Sequence, residues 1–369
     1  MSEEFKNIYR GKTVLVTGHS GFKGSWLSLW LNQLGAKVVG ISIDIPSEPS
    51  NFKVSGLEDS IESHFIDIRD FELLTKVFQK VKPDYVFHLA AQALVRKSHI
   101  EPLSTYTTNA IGTANILECL RLMEERTIAV LITSDKAYDN VEWNWGYREN
   151  DRLGGKDPYS ASKGMAELAI KAYFHSYFID SSENISLGIA RAGNVIGGGD
   201  WAEDRLVPDC VKCWSDKRSV EIRKPNSTRP WQHVLEPLSG YLSLGHQLSV
   251  DKRVNGEAYN FGPNSNQDRT VKDLIIEMKK YWSEAEWKDT SGGEEGFHEA
   301  SLLKLNCDKA LKDLDWRPTL NFPETVKMTS EWYNNFYENK LHDMSDFTIQ
   351  QISEYTSLAK KRGMSWTNK

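Results

Sequence analysis

The segment TVLVTGHSGFKG, residues 13–24, decides the fold. Its first residues form an apolar, β-branched run that reads as a strand, and Trp26, Leu27, Leu29, Trp30, Leu31 and Leu34 then mark a helix. Between the two, Gly18, Gly21 and Gly24 stand in a GxxGxxG spacing. Without a Cβ the first can make a tight turn, the second lets the backbone approach a pyrophosphate, and the third lets helix and strand pack closely. The helix N-terminus then faces the negative charge. Glycine spacing alone is weak evidence. A strand before it and a helix after it favour a dinucleotide-binding loop over an ordinary glycine-rich turn.

Working outward, apolar runs at 37–43, 85–89, 128–133 and Ile185–Ala192 alternate with helical patterns at Phe71–Val81, 109–123 and 159–177. Such alternation predicts an α/β fold, a Rossmann-type doubly wound parallel sheet, over residues 1–192. Beyond Ala192 the chain turns rich in Gly, Pro and Trp, with loops at 197–208 and 223–230, helices at 271–282 and Asp308–Leu314, and a polar tail after Asn339. Residues 193–369 are expected to form mainly a smaller C-terminal substrate-binding lobe. GEAYNFGP, residues 256–263, reads as a strand that returns to the main sheet.

The 369 residues suffice for a large core, and 45 basic against 51 acidic residues leave a net charge of -6. That balance gives no general attraction to nucleic acid or anionic membrane, so neither is expected as a partner. MSEEFKNIYRGKT is polar and no later run reaches membrane-spanning length, which points to the cytoplasm. The four cysteines are too few for a disulfide scaffold, and Cys210 and Cys213 have no second pair to complete a metal site, so no metal is expected.

Asp44 follows the second strand about twenty residues after the glycine loop, where an acid accepts hydrogen bonds from an adenosine ribose and repels a 2′-phosphate. NAD is favoured over NADP, against the reading of Asp44 as a solvated loop acid. Asp67 and Ile68 fit the adenine edge, although a helix-start signal reads nearly as well. In HLAAQ, the small Ala90 and Ala91 let a cofactor lie close to the backbone.

Ser134 ends the strand VLITS, and Tyr159 and Lys163 follow within YSASK at i, i+4 spacing on one helix face. An ammonium beside the phenol is expected to stabilise the phenolate and lower the tyrosine pKa. Tyr159 then takes a proton from a sugar hydroxyl held by Ser134. By itself YxxxK is a common accident; downstream of a nucleotide loop and beside a strand-end serine the catalytic reading prevails.

The motifs TGHSGFKG, DIRD, HLAAQ, NAIGT, TSDKAYDN, YSASK and RAGNVIGGGDWAEDRLVP resemble the extended short-chain dehydrogenases/reductases, particularly the nucleotide-sugar 4,6-dehydratases, through nearly the whole chain. GHSGFKGSWLSLWL, SDKAYDNVEWNWGYREND and RPWQHVLEPLSGYL are similar to the branch that acts on CDP-glucose. The resemblance implies that Gly18, Gly21, Phe22, Gly24, Asp44, Asp67 and Ile68 bind NAD, with Ala90, Tyr159 and Lys163 on the nicotinamide side. It implies a redox triad of Ser134, Tyr159 and Lys163, and makes Asp135 the acid that protonates the departing 6-hydroxyl. Asn194, Arg205, Arg229 and His298 fall at substrate-side positions. The implied reaction is oxidation at carbon 4, elimination of water across carbons 5 and 6, and hydride return to carbon 6. A homodimer built from the helices at Asn109 and Tyr159 is also implied.

The substrate-side residues have chemistry of their own. Arg229 in NSTRPWQHV offers a diphosphate a permanently charged planar fork, with Arg205 as a second partner, whereas Arg223 reads better as a solvated arginine. Asn194, at a strand end before three glycines, reads as a ligand contact or a turn cap. His298 is the weakest, since a lone histidine is more often a surface residue. Trp143 and Trp145 shape a lid or simply pack. Two rivals share the fold: a 4-epimerase, which has no use for an elimination acid at Asp135, and an NAD-sensing protein, which has no use for Ser134, Tyr159 and Lys163 together. Lys136 replaces the glutamate that follows the acid in many dehydratases. It reads either as the carbon 5 base or as a group that binds substrate.

Overall fold

The computed structural model describes residues 4–179, 184–264, 267–282, 285–291 and 302–368. Its centre is a parallel sheet of seven strands: β1 (Thr13–Thr17), β2 (Lys37–Ser42), β3 (Glu62–Phe65), β4 (Tyr85–His88), β5 (Thr127–Ile132), β6 (Ile185–Ala192) and β7 (Ala258–Phe261). The spatial order is β7-β6-β5-β4-β1-β2-β3. Val14 stands opposite Val38 on one side and Tyr85 on the other. Direction of travel therefore reverses between β1 and β4, and a crevice opens at their carboxyl ends.

Burial on both faces explains the near-continuous apolar strands. Val14 and Val16 enter one core layer while Leu15 enters the other, as the two-residue period of a strand requires. The first layer packs under α1 (Phe22–Gln33), the second under α2 (Phe71–Val81), α3 (Gly112–Arg121) and α4 (Pro158–Tyr173). The expected return strand is present: Phe261 of β7 pairs with Ala192 of β6.

Further long helices are α5 (Leu206–Ser215), α6 (Leu235–Val250), α7 (Phe322–Tyr337) and α8 (Ser345–Lys361), with shorter ones that include Val271–Met278 and Asp308–Leu314. The polar tail expected after Asn339 is instead the 17-residue helix α8. Thr348, Ile352, Tyr355 and Ala359 recur at helical spacing and are buried, and Trp366 beyond them stacks on Phe5 at 5.0 Å. A narrow apolar stripe in a polar segment is enough to dock the chain end. Among the described residues no helix is long and apolar enough to cross a membrane.

Candidate active site

Gly18 closes β1 with φ +77°, and a Cβ there would lie 2.8 Å from the Ala90 nitrogen at the end of β4. A Cβ on Gly24 would meet the Gly18 carbonyl oxygen at 1.9 Å. Both positions exclude any side chain. Gly21 precedes α1 with no side-chain cap, and no acid occupies the helix's first turn. These features fit a pyrophosphate. Asp44 is exposed just beyond β2, and its carbonyl accepts the Ser20 hydroxyl at 2.6 Å, which keeps this acid beside the loop. Phe22 packs against the backbone at Gly197, where a Cβ would be 3.2 Å from its ring.

Asp67 is engaged with Arg69, whose Nη2 lies 2.6 Å from its carboxylate, while Asp70 caps α2 through the Leu73 nitrogen. Ile68 is a core residue. Its Cδ1 would meet a Cβ on Gly112 at 2.5 Å.

The chemical groups converge at the ends of β5 and β6. Ser134 starts a single turn, Asp135–Ala137, by accepting the Lys136 nitrogen at 3.2 Å, and its hydroxyl donates to Asp135 Oδ1 at 3.0 Å. Asp157 caps α4 by accepting the Ser160 nitrogen at 2.9 Å. The cap sets Tyr159 in the first turn, near Ser134, and Lys163 one turn later. Ser134, Asp135, Tyr159 and Lys163 are all buried.

Burial dominates their electrostatics. It pushes the Tyr159 phenol up to about 12, against the opposing effects of Ser134 and Arg205. The expected lowering of this pKa is therefore not found: desolvating a phenolate costs more than its neighbours return. Lys163 is itself brought down to about 8, first by burial and then by Lys23. Asp135 is raised by burial, despite Lys136, Ser134 and Lys23, so its carboxyl is biased toward the acid form.

On the substrate side, a Cβ on Gly193 would stand 2.9 Å from Asp135 Oδ2 and 3.8 Å from Pro230 Cγ, which places the segment RPWQ beside the acid. Asn194 is half-buried next to it, and its carbonyl accepts the Gln232 nitrogen at 3.3 Å. Arg205 pairs with Asp200 at 2.7 Å and acts electrostatically on Tyr159 and Lys23, which sets it near the tyrosine. Arg229 lies on a two-residue strand with Thr228, antiparallel to Arg269–Thr270, and its Nη1 donates to the Thr228 carbonyl at 2.9 Å. Arg223 is exposed, as expected of a solvated arginine, at the rim of a cavity of about 440 Å³ lined also by Lys224, Asn226, Thr228 and Leu302. His298 lies outside the described residues. Trp143 packs on Tyr147 at 5.2 Å while remaining partly open to solvent, and Trp145 is more exposed still.

Four residues escaped the sequence reading. Lys23, inside the glycine loop, faces Arg205, Asp135 and Asp200. Asn109 ties the β4 loop to α4, donating to the Gln92 carbonyl at 3.0 Å and the Ser162 hydroxyl at 2.8 Å. Glu167 and Arg191 form a buried ion pair. Arg191 had a readable signal, a charge inside the otherwise apolar strand ISLGIARA.

A dinucleotide crevice at the switch point, with a strand-end serine beside a helix-borne tyrosine and a lysine one turn on, defines an extended short-chain dehydrogenase/reductase. The sequence pattern of the GDP-mannose 4,6 dehydratase family matches residues 15–329. The chain is 46% identical to CDP-glucose 4,6-dehydratase of Salmonella typhimurium, over 95% of this chain and 98% of that one. It belongs to the nucleotide-sugar 4,6-dehydratase family. Among solved structures, an epimerase from Methanothermobacter thermautotrophicus superposes with a TM-score of 0.78 at 25% identity, covering 92% of this chain and 96% of its own. The dTDP-glucose 4,6-dehydratase of Streptomyces venezuelae, determined with NAD bound, has the same fold, with a TM-score of 0.72 at 22% identity over 89% of this chain and 99% of its own.

Proposed function

We propose that this chain binds NAD and converts CDP-glucose to CDP-4-keto-6-deoxyglucose for deoxysugar biosynthesis, such as that of lipopolysaccharide O-antigen. The observation that carries this reading is Asp135: a carboxyl biased toward its acid form, hydrogen-bonded to Ser134 and set against the Gly193–Pro230 wall. An epimerase needs no such proton donor. When bound, NAD supplies a reversible hydride acceptor beside the triad. Ser134 holds the 4-hydroxyl and Tyr159 removes its proton. Once carbon 4 is a ketone the carbon 5 proton is acidic, and Lys136, on the same turn as Asp135, is the group proposed to take it. Asp135 protonates the departing 6-hydroxyl. The hydride held by the cofactor would return to carbon 6 while the proton on Lys136 goes back to carbon 5, so the net change is loss of one water, the reaction is redox-neutral and the enzyme is a lyase.

The cofactor contacts proposed are Gly18, Gly21, Phe22, Gly24, Asp44, Asp67, Ile68, Ala90, Tyr159 and Lys163; the substrate contacts are Asn194, Arg205, Arg229 and His298. We place the boundary between the cofactor and substrate parts near Ala192, and the enzyme in the cytoplasm. Exposed apolar side chains on the paired helices, Ile111 and Leu122 beside α3 and Met165 and Leu168 on α4, support a homodimer through that face. Light scattering on Leu168→Glu should then report a monomer.

Incubation with NAD and CDP-, UDP-, dTDP- and GDP-glucose in parallel tests the activity. CDP-glucose should yield a product lighter by one water, with no accumulation of NADH. Faster turnover of UDP- or dTDP-glucose would overturn the cytidine assignment, and no 4-keto product from any of the four would overturn the dehydratase reading.

A further inference from the structure

Beneath the triad lies an ion pair for which the proposed reaction has no direct use. Arg191 on β6 and Glu167 on α4 have side chains at 0% exposure. Arg191 Nε donates to Glu167 Oε1 at 2.7 Å, and Nη2 bonds to Oε2. Taking two charges out of water costs several kcal/mol for each, and an apolar pair of similar volume often holds a fold equally well. Stability is therefore a poor account of these charges.

Their remaining bonds run to the catalytic elements. Thr133, directly before Ser134, donates its hydroxyl to Glu167 Oε1 at 2.7 Å. Arg191 Nη1 donates to the Tyr138 hydroxyl at 2.5 Å and to the Glu149 carbonyl at 3.1 Å, and the guanidinium lies 4.7 Å from the Tyr138 ring centroid. Thr133 and Tyr138 bracket Ser134, Asp135 and Lys136 on both sides. Glu167 follows Lys163 by one helical turn, and its charge acts on that side chain. Arg191 itself is two residues before Gly193, over which Asp135 sits.

We propose that Glu167 and Arg191 are positioning residues that fix the Ser134–Lys136 turn relative to the helix carrying Tyr159 and Lys163. Misplacement by about 1 Å of groups that move protons can cost on the order of a hundredfold in rate. The pair joins β5, β6, α4 and the loop through Tyr138 with bonds of fixed direction, which apolar packing would not provide.

The kinetic arm of the test rests on the dehydratase reading; the exchange arm does not. Thr133→Val removes the single bond to Glu167, and Tyr138→Phe removes the bond from Arg191 together with the one the Tyr138 hydroxyl donates to Asn260, both while preserving shape. Each should lower single-turnover NADH formation at saturating substrate at least about fivefold, with KM and the NAD dissociation constant nearly unchanged. In both, hydrogen exchange of the Ala137 and Tyr138 amides should accelerate while that of β1 and β4 does not. Glu167→Met with Arg191→Met removes both charges: thermal stability should equal or exceed the parent's, yet the rate should stay at least about tenfold down. Parental rate in that double variant, or parental exchange in both single variants, would overturn the proposal. If no nucleotide sugar is turned over, the exchange arm still decides.

Discussion

The Asp135 carboxylate sits directly over Gly193, with Oδ2 2.9 Å from the point a Cβ would occupy. A side chain at residue 193 would push this carboxylate aside, whereas glycine lets the acid rest against the substrate-side wall. Asp135→Asn should therefore still form NADH from CDP-glucose but release the dehydrated product at least about a hundredfold more slowly, the low end for loss of a general acid. Gly193→Ala should slow elimination more than oxidation, because its methyl group displaces the carboxylate. Since burial raises the Asp135 pKa, elimination in the parent should fall as pH rises past that raised value, and this limb should be absent in Asp135→Asn. Single-turnover traces of NADH appearance and decay separate the two steps.

Tyr159 presents a different problem. Its phenol is pushed up to about 12, so in the ligand-free protein it holds its proton at neutral pH. Tyr159→Phe should block the first oxidation by at least about a hundredfold without weakening NAD binding to the same degree. Stopped-flow NADH absorbance would show it; a parental amplitude and rate would remove Tyr159 from its role.

The glycine loop and the Tyr159–Lys163 pair were legible because their chemistry is local: three glycines in one turn, two side chains one helical turn apart. Glu167 and Arg191 were not, because their partnership crosses from α4 to β6 and depends on packing that no periodicity encodes. The sign of the Tyr159 pKa failed for a related reason. Spacing reveals that an ammonium is near, but only the folded core fixes how much water is lost. β3 was missed because ESHF at a sheet edge pairs on one side and carries polar residues, and α8 because its apolar stripe is diluted by charges.

Glu236 makes stability depend on pH. Buried on α6, it accepts the Thr319 nitrogen at 2.9 Å and the Tyr355 hydroxyl at 2.9 Å, tying α6 to the chain before α7 and to α8. Burial nevertheless pushes its carboxyl from the ordinary 4.5 up to about 7. The folded state thus binds this proton more tightly than the unfolded one. The corresponding stabilisation is fully present below pH 4.5 and is lost as pH rises through 7, an effect of ~3 kcal/mol at most. Urea unfolding across this range should show the parent losing stability relative to Glu236→Gln. Parallel curves for the two proteins would contradict the buried, protonated carboxyl.

Lys136 carries the last prediction. It shares a single turn with Asp135, its nitrogen is fixed by Ser134 at 3.2 Å, and its charge acts on the neighbouring acid. A dehydratase needs one group to protonate the 6-hydroxyl and another to remove the carbon 5 proton, and this turn presents one candidate for each. An ammonium cannot accept a proton, so Lys136 must react in its neutral form. If it is the base, Lys136→Ala should form the 4-keto intermediate and NADH at close to the parental rate. Exchange of the carbon 5 hydrogen with heavy water should then be lost by at least about a hundredfold. If Lys136 only binds substrate or polarises the ketone, the variant should instead show a raised KM and a slower first oxidation, with exchange surviving once the intermediate has formed. Following NADH absorbance and deuterium incorporation in one reaction distinguishes the two. Exchange at the parental rate would assign the carbon 5 proton to another group or to water.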